Sequence, residues 1–114
     1  MKSKLIINKD GDKFYKLHNG LRHRQDGPAV ELIGGYKAWY INGLRHREDG
    51  PAIEYISGNK RWYINGVLHR EDGPAIEYND GSKYWYLKGI LYSEELFISE
   101  IRSIKLKQLL RSLN

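Results

Sequence analysis

Three copies of one phrase contain most of the side chains that could do chemistry. The phrase reads His-Arg, a variable residue and then Asp-Gly-Pro, and its copies begin at His23, His46 and His69. Imidazole can ligate a metal or move a proton, guanidinium can bind an anion, and carboxylate can act as a base. The phrase therefore makes metal binding, acid–base catalysis and anion binding the chemistries to consider.

The spacing of the histidines argues against a metal site. Equivalent positions of successive copies are expected two β-strands apart, which is about 9–10 Å at a strand spacing of about 4.8 Å. Zinc needs nitrogen ligands at about 2.0–2.1 Å, so copies cannot share an ion. We predict no metal and no other cofactor, and a structural role for these histidines.

The acidic residues repeat as well. They form two series, Asp26, Asp49 and Asp72, and Glu31, Glu54 and Glu77. Acid–base catalysis needs two groups in different environments that converge on one substrate, whereas copies of a repeat share one environment. Turn formation explains the aspartates, and basic partners, such as Arg61 for Glu54, explain the glutamates. The sequence therefore predicts no catalytic residues and no enzyme.

The strongest functional signal is a set of repeated cations. The candidate partner-binding residues are Arg22, Arg24, Arg45, Arg47, Arg70, Lys37, Lys60 and Lys83. Such rows beside exposed tyrosines could bind nucleic-acid phosphates, anionic lipid headgroups or an acidic protein surface. The alternative is that the arginines make contacts within the protein. Each arginine would then stack on an aromatic ring of a neighbouring repeat and pair with an acid of its own unit.

These residues recur because the chain repeats every 23 residues. Gly20, Gly43 and Gly66 anchor the copies, and Gly89 continues the count in a degraded copy. The pair Trp-Tyr recurs at 39–40, 62–63 and 85–86. A fixed period in this range indicates stacked supersecondary units that bury their apolar faces only against one another.

Short stretches of alternating residues predict strands with two different faces. Lys37, Trp39 and Ile41 share one face, and Ala38 and Tyr40 share the other. The strand after each proline is expected to add its Val or Ile to the Trp face and its Ala and Glu to the Tyr face. The prediction is a mainly β fold, a single-layer antiparallel meander of about eight short strands beginning at residues 1–7.

The repeat pattern ends after Gly89, and the last segment predicts a capping α-helix. Ser93 is the expected N-cap, so we divide the chain into an array over 1–92 and a helix over 93–114. The apolar stripe of the helix does not run straight. Either the helix breaks near Ser103, or its second half faces another surface, such as a second copy in a homodimer. The candidate oligomerisation residues are Leu106, Leu109, Leu110 and Leu113.

Composition narrows the class of protein and its compartment. The chain has 114 residues, a net charge of +5 and no cysteine, which excludes disulfides and thiolate chemistry. No apolar run approaches the roughly 20 residues of a membrane span, and the start lacks a signal-peptide core. We therefore predict a cytoplasmic protein without a transmembrane segment.

The period and the phrase NGxxHRxDG resemble the MORN repeat, whose pattern runs through N-G-x-x-H-G-x-G. The resemblance covers residues 9 to 90. Arg24, Arg47 and Arg70 stand where that pattern has glycine, and DGPA replaces its last glycine, which is similar to the divergent MORN-like proteins of phages, large DNA viruses and bacteria. The ending from Tyr92 to Glu95 is also similar to that group.

The resemblance implies a β-hairpin repeat fold. It also implies a binding role, because MORN-like proteins include lipid-binding and scaffolding modules and proposed antitoxin or immunity proteins. We therefore expect a non-catalytic module that binds another protein, with an antitoxin, immunity or host-modulating role. The alternative is a polyanion binder that uses its arginine and histidine edge on nucleic acid or anionic lipid.

Overall fold

The computed structural model describes residues 2–113 and shows a mainly β protein with one C-terminal helix. The strands are β1 (Lys4–Ile7), β2 (Lys13–Lys16), β3 (Val30–Glu31), β4 (Lys37–Ala38), β5 (Tyr40–Ile41), β6 (Leu44–Arg45), β7 (Ile53–Glu54), β8 (Lys60–Arg61), β9 (Tyr63–Ile64), β10 (Val67–Leu68), β11 (Ile76–Glu77), β12 (Lys83–Leu87) and β13 (Ile90–Tyr92), and the helix is α1 (Glu94–Ser112). The predicted fold class is confirmed. Met1 and Asn114, which the predicted first strand and the predicted helical segment include, lie outside the described residues.

The strands of residues 2–113 form one large sheet and two small ladders, all antiparallel. The large sheet has the order β1-β2-β3-β4-β7-β8-β11-β12-β13, and β5-β6 and β9-β10 form the ladders. The strands outnumber the eight or so predicted because interruptions at Trp39 and Trp62 divide β4 from β5 and β8 from β9, and because β6, β10 and β13 follow hairpin turns. The array is therefore a chain of hairpins whose outer ends turn away from the main sheet.

A two-residue turn at Asn42-Gly43, and another at Asn65-Gly66, folds the chain back on itself. Asn42 and Gly43 have φ angles of 50° and 80°. Positive φ at both central residues is the geometry of a tight hairpin. Ile41 therefore pairs with Leu44. The residues that follow these two turns are thus the strands β6 and β10.

The register of the sheet corrects the predicted assignment of faces. Val30 pairs with Ala38, and Ala38 pairs with Ile53. Directly opposed residues share a face, so Val and Ile lie with Ala and Tyr, not with Trp. Glu31 instead lies opposite Lys37 on the Trp face. The prediction was wrong here because alternation within one strand does not reveal how it is offset from the next.

The core follows from this register and runs along the array. Its buried members are Ala29, Val30, Ala38, Tyr40, Ala52, Ile53 and Tyr63. Trp39 and Trp62 lie outside this cluster and are only partly buried. The described residues span 52 × 39 × 18 Å, and the shortest of these dimensions fits a single sheet with side chains on both faces.

The C-terminal helix closes the last edge of the sheet. The Ser93 Oγ accepts a hydrogen bond from the Leu96 backbone N–H at 3.2 Å, which confirms the predicted N-cap. Phe97 and Ile101 pack with Leu87 in a second apolar cluster. α1 is one unbroken helix, so the predicted break near Ser103 is wrong. The apolar stripe of α1 moves round the helix because Phe97, Ile101 and Ile104 pack against the sheet, whereas the later leucines are exposed.

Candidate interaction surface

Each His-Arg-x-Asp-Gly-Pro turn holds its arginine in a site built by its own repeat. In the second repeat, the Arg47 Nε donates to the Asp49 carboxylate at 3.0 Å. Its Nη1 donates to the Pro51 carbonyl and to the Glu54 carboxylate, each at 3.1 Å. Its guanidinium lies 3.9 Å from the centroid of the Trp39 ring. The arginine is therefore neutralised, hydrogen-bonded and stacked at once.

Two further copies of this site exist, and we call the three the arginine turns. Arg24 stacks on Tyr15 at 4.1 Å, and Arg70 stacks on Trp62 at 3.9 Å. Their carboxylate partners are Asp26 and Glu31, and Asp72 and Glu77. Only 20–22% of each arginine side chain is exposed. An incoming anion would have to displace carboxylates that are already bonded to these arginines. The arginines therefore make the internal contacts that the sequence analysis gave as the alternative to partner binding.

The glycine of each arginine turn makes room for the guanidinium. A Cβ atom at Gly50 would lie 2.9 Å from the Arg47 Cζ, and one at Gly27 would lie 2.8 Å from the Arg24 Cζ. Real Cβ atoms essentially never come so close, so a side chain there would push the arginine out of its site. The glycine is thus part of the arginine turn rather than only a flexible link.

The lysines of the predicted second row are interleaved with glutamates. Lys37 lies opposite both Glu31 and Glu54 in the sheet. Lys60 lies opposite Glu54 and Glu77, so the alternation continues along the array. Lys83 ends the row opposite Glu77. The row is exposed but carries both signs of charge, which weakens its field for a polyanion.

The arginines that lack acidic partners lie on the opposite face of the sheet. The Arg22 Nη1 donates to the Tyr40 hydroxyl at 3.4 Å. The Arg45 guanidinium lies 5.4 Å from the Tyr63 ring centroid. Among residues 2–113, Arg22, Arg45 and Arg61 make no ion pair with a carboxylate. Within the array, these are the arginines that remain free to bind an anionic group of a partner.

Arg61 is the residue that the sequence analysis assigned differently. It was expected to pair with Glu54, but it lies opposite Ile53 on the other face. Its Nη2 donates to the Tyr78 hydroxyl at 3.3 Å. The parity of Arg61 with Tyr63 in the sequence was the signal that could have placed it correctly, because alternate residues of a strand share a face.

Together these side chains form a continuous surface that we call the tyrosine–arginine face. It consists of Arg22, Arg45, Arg61, Tyr36, Tyr40, Tyr55, Tyr63 and Tyr78. Tyr36 and Tyr55 meet edge to face, with ring centroids 5.4 Å apart. Burial, and then the neighbouring Tyr40 and Tyr55, raise the pKa of Tyr36. Its hydroxyl therefore stays protonated and able to donate.

The histidines join neighbouring repeats. The Nδ1 of His46 accepts the Asn65 backbone N–H at 3.0 Å, and its Nε2 lies 3.3 Å from the Glu48 carboxylate. This pattern assigns the proton to Nε2. His23 and His69 accept in the same way from the backbones of Asn42 and Lys88. Their role is structural, as predicted, and their bonds reach the next repeat.

Two equivalent clefts lie between successive arginine turns. One contains Trp62, Ile64 and His69, and the other contains Trp39 and Ile41 at the matching positions. Among residues 2–113, no group of three or more His, Asp or Glu side chains is placed to hold a metal ion. The two clefts repeat one environment, in which the acidic and basic side chains are those of the arginine turns and of the histidine–glutamate pairs.

The four candidate oligomerisation residues are exposed on α1. Leu106, Leu109, Leu110 and Leu113 are between 54% and 74% exposed. They point away from the side of the helix that holds Phe97. Self-association through them stays a prediction. Within the described part of the chain, no helix is long and apolar enough to cross a membrane.

Comparison with known proteins finds no match to this chain. No protein-family model matches it, and neither does any curated protein or any solved structure. The similarity to MORN repeats therefore rests on the motif in this sequence.

Proposed function

We propose that this protein is a non-catalytic repeat module that binds another protein. The observation that carries the proposal is the tyrosine–arginine face, where three arginines without acidic partners lie among tyrosines. Tyr and Arg are enriched among the residues that dominate protein–protein binding energy. Their stems and rings bury area while their polar ends fix orientation.

The remaining cations of the array support this choice of surface. The arginine turns satisfy Arg24, Arg47 and Arg70 internally, and glutamates interleave the exposed Lys37 and Lys60. An arginine that is already paired with a carboxylate gains little from a new anion, because it must break the existing hydrogen bonds to form the new ones. We therefore assign binding to the arginines that have no carboxylate partner. These are Arg22 and Arg45, which were already candidates from the sequence, and Arg61.

The non-catalytic part of the proposal rests on repetition. The carboxylates of Glu31, Glu54 and Glu77 are each bonded to an arginine, and the clefts between the turns have matching walls. Acid–base chemistry needs groups whose environments push their pKa values apart. The MORN-like motif adds the setting that we propose, an antitoxin, immunity or host-modulating protein in the cytoplasm of a bacterium or an infected cell.

A polyanion binder is the second candidate. The exposure of Arg22 and Arg45, without carboxylates beside them, favours it as well. Tyr40 and Tyr63 are, however, only 7% and 8% exposed, so their rings offer no open platform for stacked bases. This candidate predicts binding to nucleic acid or acidic vesicles that weakens steeply with salt.

Affinity purification from cells of the organism that encodes the chain tests the proposal. The lysate is divided, and one half is treated with nuclease before capture. We expect one specific protein in both halves. Recovery of nucleic acid alone, or loss of the protein after nuclease treatment, would favour the polyanion binder. Turnover of a small molecule by the purified chain would remove the non-catalytic assignment.

A further inference from the structure

We propose that the tyrosine–arginine face binds an extended acidic segment of the partner, which runs along the array with its carboxylates on Arg22, Arg45 and Arg61. This inference rests on the proposed protein-binding function and names the chemistry of the partner. It also assigns a role to Arg61, which the sequence analysis had placed in an internal pair.

The first support is the distribution of charge. The carboxylates of the array are engaged elsewhere, in the arginine turns, beside the histidines or in hairpin turns. Glu48 and Glu71 lie beside His46 and His69. Asp12 accepts the backbone N–H of Ile33 across a hairpin turn. The tyrosine–arginine face is left with cations and no described carboxylate, so its complement is an anion.

The second support is the position of Arg61 within the sheet. It lies between Ile53 and Ile76 in the register, and its Nε is buried without a hydrogen-bond partner among the described residues. The matching positions of neighbouring repeats hold Ala38 and Tyr84. A buried, unbonded N–H destabilises the fold. The repeat does not require a cation here, and Arg61 as a whole is only partly buried, so a functional contact of the accessible part of its side chain explains it best.

The third support is the kind of cation. Arginine is the main cation of the face, with Lys16 opposite Arg22 at its N-terminal end, and a planar guanidinium matches a carboxylate through two parallel hydrogen bonds. The hydroxyl of the partly buried Tyr78, which lies beside Arg61, adds a further donor for the same oxygens. The near-complete burial of Tyr40 and Tyr63 disfavours a nucleic acid, which needs open rings.

The spacing of the arginines sets the form of the segment. Arg22 and Arg45 occupy equivalent positions one repeat apart, which is about 10 Å for two strand spacings. A polyproline II chain advances about 9 Å in three residues and returns to the same side. An acid at every third residue of such a chain would therefore match the spacing of Arg22 and Arg45, and Arg61, at a different position of the next repeat, would bind a further acid of the segment. The probe that follows is a fluorescein-labelled peptide of repeated Glu-Pro-Pro units, with repeated Gln-Pro-Pro as its uncharged match.

Fluorescence anisotropy with two triple variants tests the inference. R22Q/R45Q/R61Q removes three positive charges from the tyrosine–arginine face, and K37Q/K60Q/K83Q removes three from the opposite face. We expect the wild type and the lysine variant to bind the acidic peptide about equally. We expect the arginine variant to bind about tenfold more weakly or worse, and the Gln-Pro-Pro peptide to bind to none of them.

The controls separate this inference from the proposed function. Circular dichroism confirms that each variant is folded, and R22Q alone, at an exposed residue, serves if the triple variant unfolds. Equal loss in both variants, no peptide binding by the folded wild type, or tighter binding to oligo-dT or phosphatidylserine vesicles would overturn the inference. A host protein that the wild type and the arginine variant capture alike would keep the proposed function and remove this inference.

Discussion

Arginine occupies two opposite environments in this protein. Arg47 has two carboxylates, a carbonyl and a tryptophan ring around its guanidinium, whereas Arg45 has only tyrosines. Burial works against the charge of Arg45, and its contacts with Tyr40 and Tyr63 more than offset that effect and raise its pKa. Arg45 therefore stays charged, and no carboxylate among the described residues forms an ion pair with it.

The arginine turn predicts which glycines cannot be replaced. In G50A the new Cβ would displace the Arg47 guanidinium and break its bonds to Asp49, Pro51 and Glu54. We expect the free energy of unfolding to fall by about 1–3 kcal/mol, measured by urea denaturation. G34A is the matched control, because nothing lies within 4 Å of its Cβ position. Equal effects of the two changes would contradict the packing described for the turn.

The same turn predicts a pH dependence. The hydrogen bond from Arg70 lowers the pKa of Asp72. Because the folded pKa is below that of the unfolded chain, about 3.9, the stabilisation is present above that pH and is lost as pH falls through the folded value. D72N should be less stable by about 0–1 kcal/mol at neutral pH and should lose less stability on acidification.

Urea denaturation of the wild type and D72N at several acidic pH values measures this difference. D10N provides the control, since the Asp10 carboxylate makes no hydrogen bond among the described residues, although it belongs to a similar exposed turn. Parallel stability curves for the wild type and D72N would show that the Asp72 bond contributes nothing.

At the scale of elements, only one side of α1 packs against the sheet and stabilises the fold. Ile101 packs with Leu87 and Phe97, whereas Leu109 is exposed. We expect I101A to lower the free energy of unfolding by about 2–4 kcal/mol, because it leaves a cavity under the helix. L109A should change it by less than about 0.5 kcal/mol. A large loss in L109A at low protein concentration would mean that this leucine is covered within one chain.

Sedimentation equilibrium tests the second role predicted for the helix. Association that grows with protein concentration and disappears in L106A/L110A would support the homodimer. A monomer at the highest concentration studied would remove it. The measurement is informative because the same leucines contribute little to the packing of a single chain.

How far the sequence predicts these elements depends on the range of the interactions. The Asn42-Gly43 turn and the Ser93 N-cap are set by neighbours in the chain, and the predicted N-cap is confirmed. The offset between strands is set by pairing with residues in other strands, such as Ile53 and Ile76 for Arg61, and alternation within one strand does not encode it. That offset decides whether Arg61 faces Glu54 or Tyr78, so the tyrosine–arginine face could not be assembled from the sequence.

At the scale of the whole molecule, the array divides its cations between its two faces. On the Trp face, acids and bases alternate and hold the repeats together. On the tyrosine–arginine face, the charge has one sign and remains open to a partner. Stability and binding are therefore expected to depend on different arginines, even though all six lie in equivalent or neighbouring strands and turns.

Urea denaturation of two triple Arg→Lys variants tests this division most directly. Lysine keeps the charge but loses the planar fork that the arginine turn uses. We predict that R24K/R47K/R70K loses about 3–6 kcal/mol of unfolding free energy, from about 1–2 kcal/mol per turn, and that R22K/R45K/R61K stays within about 1 kcal/mol of the wild type. Equal losses, or a larger loss in the second variant, would contradict the account.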